Sequence, residues 1–449
     1  MRIALVAPSS DPFATHLDPR SAAEASRVIS LARSLAAVGH RITIYARKDS
    51  DALPESAIAA PGVTIEHVPA GPAAPVKPDA LTAHLPEFGN HLTQRWRRNH
   101  PDVAHAYSWT MGLAALAGAR GLGVPVVQTF GSLGAAERRH GLQETPSDAR
   151  IRLEACIART ADAVLASSAE EAADLARLGV PRAKIRVVPC GVDAGQFSPD
   201  GPAAERSGRM RLLAAEPLTE PDSLAITVQA LADLPDAELV IMGGPEKAGL
   251  AKDKARQELM RMAKALRVAD RLVFTGRVPP ADLAALMRSA DVLVSTAAYE
   301  PVGATMLQAM ACGTPVVAPA AGAAQDAVVD ATTGLLLPPG APHPARLASL
   351  LRRLLANTLR LEAYGIGAAD RARSRYSWER ITRETLTAYA GCVRRPPAAV
   401  NAKSAEPRRA PADSAREASK ASEASPAGEA SPAREPSSAR EARKASRGA

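Results

Sequence analysis

A chain of 449 residues with 46% hydrophobic content is long enough for two domains, since a single core stops growing at roughly 250 to 300 residues. The formal charge of +8 lies mostly in residues 394–449, which carry +5 of it, and only 3% of the residues are aromatic, so the composition does not favour nucleic-acid binding. No apolar run reaches the roughly 18 to 20 residues that span a bilayer, and the four cysteines are too scattered for a metal site, so we expect a cytoplasmic protein without metal or cofactor.

The first 190 residues alternate short apolar runs, typical of buried strands, with amphipathic segments, typical of helices. This alternation predicts parallel βαβ units in a doubly wound sheet. The predicted strands are residues 3–7, 41–46, 63–68, 103–106, 124–129, 163–167 and 185–188. The predicted helices are residues 21–38, 80–99, 113–117 and 149–161.

The same alternation resumes after a segment rich in proline and glycine, residues 189–202, and predicts a second α/β domain. Ligands of paired open sheets favour the cleft at the carboxyl ends of the strands. The predicted strands are residues 211–215, 238–242, 272–275, 292–295, 315–318 and 334–337. The predicted helices are residues 224–234, 253–266, 280–289, 305–311 and 344–356.

The last segment, residues 394–449, consists mainly of Ala, Ser, Pro, Arg, Lys and Glu, with near-repeats such as EASP at residues 423–426 and 429–432. It has too little apolar surface to offset the entropy of ordering, so we predict a disordered tail. A solvated tail is the favoured interpretation, and the alternative is a contact of this basic tail with a partner protein or a membrane surface.

Three strings stand in a fixed order: VPCGVD at residues 188–193, YEPVG at 299–303 leading into MACGTPVV at 310–317, and TGLLLPP at 333–339. Together they resemble the retaining glycosyltransferases that include sucrose synthases, mycothiol-pathway glycosyltransferases and phosphatidylinositol mannosyltransferases. The resemblance covers roughly residues 1–392. It implies the GT-B fold, in which two Rossmann-like domains face each other across a cleft. The expected elements are an acceptor-side domain at 1–190, a nucleotide-sugar domain at 191–375 and a helix crossing back at 376–393.

The second domain contains the candidate donor site. A departing diphosphate needs cations, a metal or helix N-terminal amides, and Gly303, Ala304 and Thr305 begin an apolar helix whose amides can face a phosphate. The resemblance implies that Glu300 is the catalytic carboxylate that binds the donor sugar, and the alternative is an acidic residue favoured by the helix dipole. It places Gln308 where the family has a second carboxylate, so the expected bond to the ribose is weaker. The family uses no metal.

Several positions differ from the family pattern. The arginine and lysine that follow the first strand of the second domain fall on Pro217 and Asp222, and residues 212–246 contain no Lys or Arg at all. The phosphate-approach glycines of the first domain correspond to Ala22 and Ala23. These changes weaken the expected hold on a diphosphate.

Two positions in the first domain concern histidine. The family histidine that contacts the donor corresponds to Gly131, and His140 nearby is better explained as a surface residue. His105 follows a strand and resembles a cleft residue of the family, so we keep it as a second catalytic candidate, with a structural role equally open.

The residues leave more than one function open. The first hypothesis is a metal-independent transfer of a hexosyl unit, with retention, from a nucleotide sugar to an unknown small-molecule or lipid acceptor. In such a front-face mechanism the leaving phosphate takes the acceptor proton, so no separate base is needed. The second is a catalytically degenerate relative that acts as a binding or scaffold subunit. A third is a related GT-B enzyme such as a sugar-nucleotide epimerase.

Overall fold

The computed structural model describes residues 1–9, 19–76, 78–142, 146–219 and 221–393, and the predicted tail lies outside them. The described residues form one compact unit. Among its described residues, a pair of mostly parallel sheets is found, each covered by helices, which confirms the predicted α/β class.

The first sheet has eight strands, seven of which run parallel. The strands are β1 (Arg2–Ala7), β2 (Arg41–Arg47), β3 (Ser56–Ala60), β4 (Val63–Val68), β5 (Val103–Tyr107), β6 (Val126–Thr129), β7 (Ala163–Ala166) and β8 (Ile185–Val187). In space they lie in the order β3-β4-β2-β1-β5-β6-β7-β8, and β3 is antiparallel to β4 at the edge.

Helices cover both faces of this sheet, which explains why its strands are apolar at nearly every position. They are α1 (Pro19–Ala37), α2 (Pro78–Leu81), α3 (Leu85–Arg98), α4 (Trp109–Ala119), α5 (Gly134–Arg139), α6 (Asp148–Thr160) and α7 (Ala169–Arg177). Alternate residues of β1 point to opposite faces, so Leu5 packs with Leu31 of α1 while Val6 packs with Leu92 of α3. The predicted helix at 80–99 is interrupted, because Pro86 in the first turn of α3 lacks an amide to continue an earlier helix.

The second sheet has six parallel strands. They are β9 (Met210–Ala214), β10 (Ala237–Ile241), β11 (Leu272–Phe274), β12 (Val292–Val294), β13 (Val316–Pro319) and β14 (Gly334–Leu337). Their spatial order is β11-β10-β9-β12-β13-β14. The chain direction across the sheet reverses between β9 and β12, which opens a crevice at the carboxyl ends of these two strands.

Eight helices belong to this half of the described chain: α8 (Pro221–Leu231), α9 (Lys254–Ala265), α10 (Pro280–Arg288), α11 (Ala304–Ala311), α12 (Ala323–Ala327), α13 (Pro344–Leu355), α14 (Thr358–Tyr376) and α15 (Trp378–Val393). The last of them, α15, returns to the first domain, where Ile381 and Tyr389 are buried in the same core as Leu5. Within the described ranges no helix is both long and apolar enough to span a bilayer.

The chain crosses between the two domains twice, and the two crossings run side by side. The first crossing follows β8 in residues 188–193, and the second is the junction of α14 and α15 at Ser377. The amide of Val192 donates to the carbonyl of Tyr376 at 2.7 Å, and Val192 and Ser377 form a parallel bridge. We call these two paired crossings the hinge.

Candidate functional site

The loop between β12 and α11 supplies the residues that the sequence predicts for the donor side. Glu300 is half-buried, and its Oε1 accepts the amides of Val302 at 3.1 Å and Gly303 at 2.8 Å. Gly303 has a φ of 73°, a left-handed conformation that favours glycine, and it begins α11. The predicted Glu300 and Gly303 therefore lie together at one helix start.

The start of α11 leaves three amides for a ligand. The first hydrogen bond of the helix runs from the Leu307 amide to the Gly303 carbonyl at 2.9 Å, so the amides of Ala304, Thr305 and Met306 precede it. The side chains of Thr305 and Gln308 are half-buried and make no hydrogen bond to a described residue. Unpaired amides at a helix N-terminus carry partial positive charge and suit an anion.

A second loop, which follows β13, holds the first in place. The Glu300 carbonyl accepts the Ala323 amide at 2.7 Å. A Cβ added at Gly322 would lie only 2.2 Å from that carbonyl, and a Cβ added at Gly303 would lie 2.9 Å from Cβ of Ala323. Both glycines are therefore required by the close approach of the two loops, which fixes Glu300 relative to α11.

A buried carboxyl group stands at the end of β9, beside the crevice. Glu216 is 5% exposed, and its Oε1 accepts the amide of Thr296, which follows β12, at 2.6 Å. Its Oε2 has no hydrogen-bond partner among the described residues, and burial raises the pKa of this carboxyl. Pro217 follows it, and Asp222 is exposed in the first turn of α8. None of these three supplies the positive charge that a diphosphate would favour at this place.

His105, the second catalytic candidate, lies in the core rather than in the cleft. It is 1% exposed, its Nδ1 is 2.7 Å from the Tyr389 hydroxyl and its Nε2 is 2.9 Å from Oγ1 of Thr129. Burial and, as the smaller cause, the positive charge of Arg27 together lower the pKa of His105 to about 3. A neutral imidazole with both nitrogens engaged ties α15 to the first sheet and is not placed to touch a ligand.

The three altered positions of the first domain lie on α1 and on the loop after β6. Ala22 is half-buried and Ala23 is exposed near the start of α1. Gly131 has a φ of 74°, which a histidine would adopt only with strain, and a Cβ there would lie 3.7 Å from Oε1 of Glu24. The loop therefore faces an acidic residue of α1 and carries no side chain of its own at this point.

Sequence reasoning missed a buried cation in the same region. Arg27 of α1 is 9% exposed, and its guanidinium donates to Oγ of Ser167 at 3.0 Å and to the carbonyl of Val188 at 3.4 Å. Neither acceptor is charged, so the positive charge is not neutralised by a direct ion pair among the described residues. The helical spacing places Arg27 on the apolar face of α1, and this position was the one sequence feature that could have predicted its burial.

Charged residues of both domains influence Cys190, which lies in the first interdomain crossing. Burial raises the pKa of the Cys190 thiol, the positive charge of Arg27 lowers it, and the negative charge of Glu300 raises it. Arg27 of the first domain and Glu300 of the second therefore both act electrostatically on the Cys190 side chain. Residues 212–246 themselves contain no Lys or Arg.

The domains also touch at the rim of the cleft, and here the expectation for His140 was wrong. Its side chain is only 12% exposed, stacks on Tyr299 of the second domain with ring centroids 4.6 Å apart, and bonds Glu170 Oε1 at 2.7 Å. Glu170 Oε2 accepts the amide of Gly322 at 2.5 Å, so the contact crosses between domains. Burial alone would raise the pKa of Glu170, but the bonds from Gly322, His140 and Arg139 lower it.

A second hydrogen bond strengthens this rim. Asp326 Oδ2 accepts the amide of Ala169, at the start of α7, at 2.6 Å. Tyr299 and Ala321 of the second domain are buried in one cluster with Phe130 and Leu133 of the first. The rim therefore joins Tyr299 and the loop that follows β13 to the first domain.

Comparisons with known proteins agree with this architecture. The model of Glycosyltransferase Family 4 matches residues 25–196, and that of Glycosyl transferases group 1 matches residues 219–371. A D-inositol 3-phosphate glycosyltransferase from Frankia alni is 33% identical over 389 residues, which is 81% of this chain and 92% of the relative. The protein of that name from Streptomyces coelicolor is 32% identical over 399 residues, 82% and 86% of the two chains.

Solved structures show the same fold. Sucrose-phosphate synthase from Thermosynechococcus elongatus superposes with a TM-score of 0.77 at 25% identity, over 87% of this chain and 98% of that one. Anabaena HepE in complex with UDP-glucose gives a TM-score of 0.64 at 19% identity, over 86% and 99% of the two chains. On these findings the chain belongs to the family of glycosyltransferases with the GT-B fold.

Proposed function

We propose that the chain transfers a hexosyl unit from a nucleotide sugar to an acceptor hydroxyl, with retention of the anomeric configuration. The observation that carries the proposal is the start of α11, where three amides, the Thr305 hydroxyl and the Glu300 carboxylate meet beside the crevice of the second sheet. Breaking a sugar to diphosphate bond needs the leaving charge stabilised, and preorganised amides supply that stabilisation without a metal.

We assign the following roles to the residues of this site. The diphosphate lies at the amides of Ala304, Thr305 and Met306, and Gln308, one turn further along α11, reaches the ribose. Glu300 uses Oε1 to accept two amides, while its Oε2 makes no hydrogen bond to a described residue and can accept the sugar hydroxyls. The leaving phosphate takes the proton of the acceptor, so the buried His105 is not needed as a base.

Arg27 supplies long-range positive charge in this scheme. Its guanidinium stays bonded to Ser167 and Val188, so it acts through its field and not by direct contact with the phosphates. A field from a buried charge is screened less than one from the surface.

The relatives suggest which substrates to test first. Those at about one third identity carry the name D-inositol 3-phosphate glycosyltransferase, and Anabaena HepE was solved with UDP-glucose. We propose a small phosphorylated polyol as the acceptor class and a reaction in the cytoplasm, where nucleotide sugars are the donors.

A second candidate function is a nucleotide-sugar-binding subunit without activity. It is favoured by Glu216, a buried carboxyl group with one unpaired oxygen, at the end of β9. It is favoured too by the complete lack of Lys and Arg in residues 212–246. Like charges within about 4 Å cost on the order of 1 to 4 kcal/mol near a surface, enough to weaken the hold on a diphosphate.

Calorimetric titration of the full chain with UDP-, GDP- and ADP-sugars separates these candidates. We expect saturable heat from one nucleotide class and slow hydrolysis of its sugar, which would exclude a purely binding role. Heat without hydrolysis or transfer would favour the binding subunit. If no nucleotide sugar gave any heat, neither candidate would stand.

A further inference from the structure

A cavity of about 320 Å³ lies at the hinge, away from the start of α11. It opens where the first interdomain crossing passes the junction of α14 and α15. Its lining consists of Pro189, Arg371, Arg375, Tyr376, Arg380 and Glu384. Three guanidinium groups therefore share one small space with a single carboxylate.

The charge of this cavity is only partly balanced. Arg380 Nε donates to Oε1 of Glu384 at 2.9 Å, and that pair is about one third exposed on both sides. Arg375 makes no hydrogen bond or ion pair with any residue that the structure describes. The lining residues thus carry a net charge of +2, which suits a dianion.

Arg371 is held in place before any ligand arrives. Its Nε donates to the carbonyl of Ala327 at 2.8 Å and its Nη2 to that of Asp326 at 2.7 Å. The guanidinium carbon lies 6.0 Å from the centre of the Tyr376 ring, whose hydroxyl donates to the same Asp326 carbonyl at 3.0 Å. These acceptors are neutral, so they orient the guanidinium without cancelling its charge.

The cavity touches both interdomain crossings. Pro189 belongs to the first crossing, and Tyr376 ends α14 at the second, where its carbonyl accepts the Val192 amide. A ligand bound here therefore contacts both strands of the hinge. Arg371 also reaches the carbonyl of Asp326, whose side chain bonds Ala169 across the rim of the cleft.

We propose that this cavity is a binding site for a phosphate group, distinct from the donor site and independent of transferase activity. Guanidinium groups match tetrahedral oxyanions with paired, charge-assisted hydrogen bonds, and a phosphate dianion balances the net charge of the lining. The phosphate belongs either to a soluble phosphomonoester or to a lipid headgroup, since both present the same chemistry to the cavity.

The test is the binding of inorganic phosphate to the full chain. Binding is detected as a rise in the thermal unfolding temperature Tm, measured at constant ionic strength. UDP, GDP and ADP are present throughout, so that the donor site is occupied whichever nucleotide it binds. Phosphate should raise Tm with a saturable dependence, and chloride should not. Arg375→Gln should weaken the apparent affinity about tenfold, because a charge-assisted bond is lost. Glu384→Gln should tighten it severalfold, since the competing carboxylate is removed.

The matched control is Arg373→Gln, which removes an exposed arginine of the same helix that does not line the cavity. It should leave the phosphate affinity as in the unaltered chain. Equal affinities in all three variants, or a non-saturable rise in Tm, would overturn the proposal. Because Glu384→Gln predicts a gain, a folding defect cannot imitate the whole pattern.

Two further probes identify the source of the phosphate. Glycerol phosphate tests the soluble class, and phosphatidylcholine vesicles with and without phosphatidic acid test the lipid class. Arg375-dependent binding to the acidic vesicles alone assigns a headgroup, and Arg375-dependent binding of glycerol phosphate alone assigns a soluble ligand. Failure of both probes together with inorganic phosphate would contradict the site.

Discussion

The carboxylate of Glu300 accepts the amide of Gly303 at 2.8 Å, just before α11 begins. One acidic side chain thus orders the loop that presents the helix amides and stands beside them as the candidate sugar ligand. Two amide dipoles offset the charge of Glu300, which makes a glutamate compatible with the proposed diphosphate site beside it.

Glu300→Gln should preserve the conformation of the loop before α11 and strongly reduce sugar transfer. The amide oxygen of glutamine can still accept the Val302 and Gly303 amides, so affinity for the nucleoside diphosphate should change less than about threefold. Transfer should fall by about 10²-fold, the usual cost of losing one electrostatic contact to the reacting centre. Calorimetry and initial rates measure the two effects. Full activity of the variant would show that Glu300 does not take part in sugar transfer.

Gly303→Ala should damage the donor site by distorting its helix start. Alanine is strained at a φ of 73°, and its Cβ would press on Ala323 at 2.9 Å, so we expect a loss of about 1 to 3 kcal/mol in stability. Nucleotide affinity should fall in parallel. The control is Gly39→Ala, which has a φ of 89° but no neighbour within 4 Å. If both variants bound nucleotide alike, the close packing at Gly303 would not matter.

Glu170→Ala should loosen the rim between the domains. It leaves the Gly322 amide without its carboxylate acceptor, and a buried donor left unsatisfied costs about 1 to 3 kcal/mol. We expect a larger radius of gyration in X-ray scattering and a higher KM for the donor, with kcat less affected. Replacement of the exposed Glu362 by alanine is the control. Unchanged scattering would show that the rim does not hold the cleft.

Glu171 should make stability fall as the pH rises. Burial raises the pKa of this carboxyl to about 7 from its ordinary 4.5, so between these values the folded chain binds a proton that the unfolded chain releases. The free energy of unfolding should therefore drop by about 3 kcal/mol between pH 4.5 and 7.5, relative to Glu171→Gln. Urea unfolding of both proteins at several pH values measures the difference. A constant difference would contradict the shift.

Much of the fold could be predicted from the sequence, because most of the parallel strands are short and mainly apolar. The edge strand β3 was missed, since its sequence SAIAA is short, small and only half-buried. Helix α7 was missed although it had a signal, because Ser168 and Glu171 have the spacing of a capping box. Oγ of Ser168 accepts the Glu171 amide at 3.1 Å, and Oε2 of Glu171 accepts the amide of Ser167 at 2.6 Å. The local hydrophobic pattern predicts strands well where the whole strand is buried, and it fails for a strand at the edge of a sheet.

The candidate site was less accessible to prediction than the fold. Glu300 and Gly303 are neighbours in sequence, so a motif placed them together. The contacts of His105 with Tyr389 and of His140 with Tyr299 join residues far apart in the chain, and no local pattern carries such distances. The buried position of Arg27 was not predicted for the same reason, because its partners Ser167 and Val188 follow two strands that are distant in sequence.

The most direct measurement of the central claim is transfer of radiolabelled sugar from UDP-, GDP- and ADP-donors to D-inositol 3-phosphate, with and without a chelator. We predict a product from one donor class, formed at the same rate with the chelator present and with the anomeric configuration of the donor. Binding of nucleotide without any product, from every donor and with hydrolysis also absent, would contradict the claim that the start of α11 supports sugar transfer.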